Sequence, residues 1–371
     1  MSGYQAALWA IALGLAISAL LWLHTWFWAR RLSVLLPYAL EERLRTEDGA
    51  HIELRRVPPV APALGLPPIL LVHGVAANHR NHDLLADLSL ARHLSGSGRD
   101  VWLLTLRSGV QGRTFAETRR VRFEAMVRHD VPLAVAEVLE RTGAAALDYV
   151  GFSMGGMLLY AALGHTLHVD RVRRVAIVGS PAVVRPPLPI PVPAFVGRIP
   201  GYLFPTLRLR LAARAGAFAA EWLRTPAHHW VFNPRNVAPG VPKLSLVNVI
   251  EDVPGPLNRD FAAWAASATG ALTLGDEPVL GRLAHVAAPA IFFAGSDDRL
   301  APPEAVRAAF DAWGSATDVE KRWVLLGVET GASADYGHGD LAVGASVTQE
   351  LFEPLTEFMA QGAGGATRSA A

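Results

Sequence analysis

The chain has 371 residues, enough for one large domain or two smaller ones, and with 51% hydrophobic against 18% charged residues it is more apolar than a typical soluble domain. A net charge of +1 offers no basic footprint, so no nucleic-acid partner is expected. The absence of cysteine removes disulfides, thiolate metal sites and a cysteine nucleophile, and leaves the redox compartment open.

Apolar residues are densest at the N-terminus. Residues 6–28 carry no charge, and only Gly14, Ser18, His24 and Thr25 interrupt the apolar series. These 23 residues exceed the ~20 needed to cross a hydrocarbon core. Trp22, Trp26, Phe27 and Trp28 gather at the C-terminal end of the run, where an interfacial aromatic belt would sit, and Arg30 and Arg31 follow at once. A cleavable signal would place basic residues ahead of a shorter apolar core, and residues 1–5 hold none. The pattern predicts a single-pass anchor over residues 1–31, with membrane lipid as a partner. The positive-inside rule places the rest of the chain in the cytoplasm with Arg30 and Arg31. The alternative is a buried or membrane-surface helix.

After the anchor, alternating residues on either side of Asp48-Gly49 predict a hairpin within residues 42–58. A proline-rich link over residues 58–68 leads to Ile69-Leu70-Leu71-Val72. Further short apolar runs lie at residues 101–106, Tyr149-Val150, 175–178, 290–294 and 323–326. Continuous apolar runs of this length suit strands buried on both faces of a parallel sheet. Helical patterns lie between them, around residues 83–95, 118–142, 155–166 and 303–313. The alternation predicts a doubly wound α/β fold.

That alternation breaks once, over residues 183–286. This stretch holds 14 of the 26 prolines, including Pro186, Pro187, Pro189, Pro191 and Pro193, and ten basic residues against six acidic ones. It reads as a mostly helical cap inserted between two strands of the sheet. Within it, residues 202–222 mix apolar side chains with Arg208, Arg210 and Arg214, which suits either an anionic bilayer surface or an ordinary solvated helix face. The expected organisation is therefore an anchor (1–31), a first core segment (42–182), the cap (183–286), a second core segment (287–361) and a disordered tail (362–371).

One segment carries most of the chemistry. Gly151-Phe152-Ser153-Met154-Gly155 reads G-x-S-x-G, with a strand pattern before it and a helical run from Met157 after it. A serine on such a sharp strand-to-helix turn is held in strained geometry with its hydroxyl above the sheet edge, and small glycines let helix and strand approach. The plainer reading is a glycine-rich helix start that Ser153 caps. A serine nucleophile also needs a base, an acid to orient that base, and N–H donors for the oxyanion. Candidates follow three of the strand patterns: His73-Gly74-Val75, then Asp297 and Asp298, then His338 with Asp340 close behind. The ends of strands are where α/β sheets assemble their sites. His79 and His82 hint at a metal pair, but only Asp83 lies nearby to complete it, so no metal and no cofactor are expected. His228-His229 reads as packing or surface.

Four strings in this chain carry a family resemblance: Leu71-Val72-His73-Gly74, the stretch from Ser89 to Leu103, Gly151-Phe152-Ser153-Met154-Gly155-Gly156, and Tyr336-Gly337-His338-Gly339-Asp340-Leu341. From about Glu42 to Met359 the chain resembles the α/β-hydrolase superfamily, in its lipase- and esterase-like branch, near the acid-lipase-like and polyhydroxyalkanoate-synthase-like members. The resemblance implies Ser153 as nucleophile, His338 as base and Asp298, in preference to Asp297, as the orienting acid. It makes the amides of Val75 and Met154 the oxyanion hole, and leaves Asp340 as a second-rank candidate for the acid. Phe152 stands where many relatives carry histidine, a change of packing more than of chemistry. The related polymer synthases use cysteine, which this chain lacks, and Ser153 excludes an aspartate nucleophile. The resulting expectation is a membrane-anchored serine hydrolase acting on a lipophilic ester through an acyl-enzyme. The rivals are an acyltransferase with the same triad and a non-catalytic membrane scaffold that keeps the fold.

Overall fold

A computed structural model describes residues 3–185, 206–222 and 231–361. Eight strands form the central sheet: β1 (Leu40–Arg45), β2 (His51–Val57), β3 (Ile69–Val72), β4 (Val101–Thr105), β5 (Leu147–Phe152), β6 (Val172–Val178), β7 (Ala290–Gly295) and β8 (Lys321–Leu326). Their spatial order is β1-β2-β4-β3-β5-β6-β7-β8. The β1–β2 and β2–β4 pairings are antiparallel and all the others parallel. The hairpin closes with Arg45 opposite His51, and Gly49 adopts φ 81° in its turn.

The apolar runs are strands because both faces of each are covered. Strands β3, β4, β5 and β7 are buried at every residue. With a period of two, Leu70 and Val72 face one core while Ile69 and Leu71 face the other. The first core is closed by helices at Val131–Thr142, Met154–Ala162 and Pro303–Ala312, through residues such as Val135, Leu158 and Val306. The second is closed by helices at Leu90–Gly96 and Glu353–Ala360, through Leu94, Leu355 and Phe358. At the start of β5, Asp148 is clamped by Arg99 and Arg173, whose guanidinium groups also reach the carbonyl of Met359 and so fasten the last helix.

Some boundaries differ from the sequence pattern. The helix expected from residue 83 starts only at Leu90, capped by Ser89, because the buried Asp83 carboxylate gathers Tyr38, Ser89 and Arg92 and fixes the preceding segment as loop. The strand read at Tyr149-Val150 runs from Leu147 to Phe152. The helix Glu353–Ala360 has no counterpart in the sequence reading.

The described residues between β6 and β7 pack in different places. Residues 253–286, including the helix Gly255–Ala266, bury Leu257, Trp264, Leu272 and Leu283 in the first sheet core. The helices Leu209–Gly216 and Val241–Asn248 instead pack on the end of the N-terminal helix. Residues 186–193 and 362–371, for which a proline-rich part of the cap and a disordered tail are expected, lie outside the described residues, as does the His228-His229 pair.

The N-terminal helix, Gly3–Leu32, is about 45 Å long at 1.5 Å per residue. Its most apolar stretch has a mean hydropathy of 2.2, and by length and composition it can cross a membrane. Its first two-thirds are exposed, with Trp9 and Leu20 bare, and among the described residues it meets the rest of the protein near its C-terminal end. There His24 Nε2 lies 3.0 Å from the Ala215 carbonyl, and the rings of His24 and Trp28 lie 5.0 and 6.1 Å from that of Phe218.

Candidate active site

Ser153 stands between the end of β5 and the helix Met154–Ala162, with φ 52° and ψ −118°. Left-handed φ is costly for a residue with a Cβ, about 1–3 kcal/mol, and persists only where the surroundings enforce it. Here they do. Ser153 N–H donates to the Val178 carbonyl on β6 at 2.8 Å. A Cβ on Gly151 would lie 2.5 Å from the Gly156 nitrogen, and one on Gly155 would collide with the Val72 carbonyl of β3. The glycines thus let the helix start directly against two strands, which forces the chain to reverse at Ser153. Tyr149 adds a buried O–H bond to the Gly155 carbonyl at 2.9 Å. Capping does not explain Ser153, whose side chain makes no cap hydrogen bond.

Asp298 and His338 come from the loops after β7 and β8. The Asp298 carboxylate lies 2.7 Å from His338 Nδ1, and its other oxygen accepts the amides of Leu300 and Ala301 at 2.9 and 2.8 Å. Three donors converging on one buried carboxylate fix its direction toward the ring. Asp297 faces outward to Arg299 instead. Gly179, φ 55°, lies beneath the pair, where a Cβ would stand 3.5 Å from both the Asp298 Oδ2 and His338 Cε1 atoms. The ring of Phe152 packs 5.1 Å from that of His338, so this side chain forms a wall of the site.

Asp340 is fully buried and does not touch the His338 ring nitrogen that Asp298 holds. Its oxygens accept Gly337 N–H, Asn233 N–H and the Asn236 side-chain amide at 3.0 to 3.2 Å, which ties the His338 loop to the segment inserted between β6 and β7. Burial pushes its carboxyl from an ordinary 3.8 up to about 6, against those hydrogen bonds. The glycines around His338 serve the same contact, since a Cβ on Gly337 would lie 2.9 Å from the Asn233 nitrogen and one on Gly339 2.5 Å from the Phe232 ring.

Val75 follows β3, and Met154 opens its helix, where a first-turn amide has no intrahelical partner. A Cβ on Gly74 would stand 2.9 Å from Ser153 Cβ, so the loop after β3 runs directly alongside the serine. His73 anchors this loop, with Nδ1 2.7 Å from the Gly74 carbonyl and Nε2 accepting Leu106 N–H at 3.0 Å. Burial lowers its pKa to about 3 and keeps it neutral. Burial likewise lowers His82 to about 4 and His79 well below the usual imidazole range. His79 is engaged with Thr105 at 3.1 Å, and no group of three or more His, Asp or Glu among the described residues could hold a metal.

Sequence reasoning passed over one residue of this loop. Ala76 has φ 54°, and it and Ser153 are the two non-glycine residues with positive φ among those described. Alanine gives no sequence signal for such a conformation, which goes with a contact from Glu251 N–H to the Ala76 carbonyl.

The order of strands, the serine turn and the acid–histidine pair together have the form of an α/β hydrolase. A family model for the alpha/beta hydrolase fold matches residues 67–338, and the chain belongs to that family. Among curated relatives it is similar to human gastric triacylglycerol lipase, 32% identical over 127 residues that cover 31% of this chain and 32% of the relative. It is also similar to human lysosomal acid lipase/cholesteryl ester hydrolase, 27% identical over 186 residues and 45% of each chain. The chain thus matches less than half the length of these relatives. Among solved structures, an enol-lactonase from Burkholderia xenovorans LB400 superposes with a TM-score of 0.55 at 15% identity, over 86% of this chain and 99% of that one. A monoacylglycerol lipase from Paleococcus ferrophilus gives 0.52 at 16%, over 83% and 98%. At such identities the structures establish the shared fold. Over the stretches that align, the chain is similar to lipases.

Proposed function

We propose that this protein is a membrane-tethered serine hydrolase that cleaves a carboxylic ester of a lipophilic acyl compound through an acyl-enzyme. The observation that carries the reading is the strained Ser153 turn beside the hydrogen-bonded Asp298–His338 pair. In this mechanism Ser153 Oγ attacks the ester carbonyl and its proton passes to His338 Nε2. The Ser–His hydrogen bond of such enzymes often forms only in the substrate complex. Asp298 holds Nδ1–H and stabilises the imidazolium that results. The amides of Val75 and Met154 receive the oxyanion. His338 then returns the proton to the leaving alcohol, and water, activated in the same way, releases the acid.

The lipophilic substrate is supported by the lipase relatives and by the neighbourhood of the N-terminal helix. The exposed Phe218 packs against His24 and Trp28 near the aromatic end of that helix, and the exposed Trp222 packs on Phe218. Aromatic side chains of this kind favour the membrane–water interface, so the cap would lie against the bilayer from which the substrate comes. Arg30 and Arg31 at the helix end favour a cytoplasmic catalytic domain.

The test is hydrolysis of p-nitrophenyl esters of increasing chain length by membranes carrying wild-type protein or Ser153→Ala, with a fluorophosphonate probe in parallel. Serine-dependent turnover and labelling are expected. Labelling without turnover unless an alcohol acceptor is added would replace hydrolysis by acyl transfer, and neither labelling nor turnover would overturn the enzymatic reading. Protease digestion of the cap only from the non-cytoplasmic face of sealed vesicles would reverse the orientation.

A further inference from the structure

The loop that carries Val75 is held by residues far away in sequence. Glu251, buried in the cap just beyond the helix Val241–Asn248, donates its backbone N–H to the Ala76 carbonyl at 2.8 Å. Its side-chain Oε1 accepts the Asn78 amide and the Gln111 amide, each at 2.8 Å. Arg210 of the cap lies 3.7 Å from its other oxygen. Asn78 is itself a corner of the loop: its Oδ1 caps the short helix His79–Asn81 through Arg80 N–H at 2.8 Å, and its Nδ2 also donates to the Asn248 carbonyl at 3.0 Å.

Asn248 continues the chain of contacts to the N-terminal helix. Its Nδ2 donates to the Leu32 carbonyl and its Oδ1 accepts Val34 N–H, both at 2.9 Å. Arg80 closes the circuit by donating to the Val34 carbonyl at 2.7 Å. The exit of the helix, the cap and the loop after β3 therefore share one polar network, and Ala76, with its left-handed backbone, is where the network meets the loop.

We propose that Glu251 is a positioning residue for the oxyanion loop, holding Asn78 and Ala76 so that the Val75 amide points at the reacting carbonyl, with Asn248 coupling that hold to the seating of the N-terminal helix. The proposal rests on the hydrolase reading above. Its physical basis is that an oxyanion donor works only when preorganised, and a buried carboxylate accepting two amides is a stiff, directional support. The carboxylate's hold on Asn78 and Gln111 fixes the Glu251 backbone whose N–H meets the Ala76 carbonyl, so without the side chain that backbone is freed and the strained peptide beside Ala76 rotates.

The experiment compares wild type, Glu251→Ala, Glu251→Gln and Asn248→Ala as full-length proteins in detergent, measuring kcat, KM and Tm on a p-nitrophenyl ester together with fluorophosphonate labelling. Glu251→Ala is expected to lower kcat by about tenfold to a hundredfold, the scale of a misplaced catalytic group, with KM within about twofold of wild type. Glu251→Gln keeps Oε1 as an acceptor for both amides and is expected to restore kcat to within about threefold. Asn248→Ala is expected to fall between them. Wild-type kcat in Glu251→Ala, or equal losses in the Ala and Gln variants, would overturn the proposal. A Glu251→Ala loss that tracks Tm, so that activity returns on cooling, would reduce the residue to a purely structural role and overturn it as well. Wild type that neither labels nor turns over would instead defeat the hydrolase reading on which the proposal stands.

Discussion

Ser153 and Ala76 share a positive φ, unusual for residues that carry a Cβ, but they are held in different ways. Ser153 is forced into its geometry by close neighbours within the sheet: Gly151 and Gly155 on either side, β3 and β6 flanking, and the Val178 carbonyl accepting its amide. Ala76 is held from outside, by Glu251 in a segment inserted between β6 and β7. The proposed nucleophile is thus built into the core, whereas the loop beside it depends on the cap. On the proposed reading, the nucleophile is permanently set while the oxyanion donor is sensitive to how residues 209–251 and the N-terminal helix against them are seated.

The comparison can be broken or sharpened by substitution. Removing the proposed nucleophile in Ser153→Ala should lower esterase turnover by about 10⁴-fold or more without unfolding the protein, as judged by kcat and a melting curve. Asp298→Asn should cost about 10³- to 10⁴-fold, because the amide no longer fixes the histidine tautomer; a pH–rate profile of that variant is the check. Gly155→Ala tests the built-in side: its Cβ meets the Val72 carbonyl, both of them backbone-fixed, and a loss of about 3 kcal/mol or more is expected in denaturant unfolding. Equal tolerance at Gly155 and Glu251 would dissolve the contrast between the two loops.

A smaller effect concerns the His338 loop. Asp340 has a folded-state pKa of about 6, raised above its ordinary 3.8 by burial, with Asp297 adding to the rise. Its contribution to stability is therefore full below about pH 4 and is lost as pH rises through about 6, on the order of 2–3 kcal/mol in all. Asp340→Asn should abolish that part of the pH slope, whatever its baseline stability; Asp130, also raised to about 6, is common to both proteins and cancels in the difference. The slope of Tm between about pH 4 and 7 is the measurement. The smallest effect is expected for Asp297→Asn, which faces Arg299 and should leave kcat within about twofold.

Much of the fold was legible because burial writes itself into composition. Ile69-Leu70-Leu71-Val72 and Ala290-Ile291-Phe292-Phe293 read as strands covered on both faces, and Asp48-Gly49 as the turn of a hairpin, and each is so. The glycines of the Ser153 turn were equally readable, since steric limits at a close strand–helix junction leave little room for any other residue type. The insert was legible as a break in rhythm but not as a structure. Nothing local in residues 253–286 says that Leu257 and Trp264 join the sheet core rather than the cap.

The sequence by itself determined which segments become buried strands, where the serine turn falls and where the long apolar helix lies, because each depends on residues adjacent to one another. Only the tertiary structure decided that Asp340 ties the His338 loop to Asn233 and Asn236, and that Ala76 is held by Glu251. Those are contacts between segments 104 to 173 residues apart, and the residues involved carry no periodicity or spacing that could announce a partner brought in by the folding of the sheet.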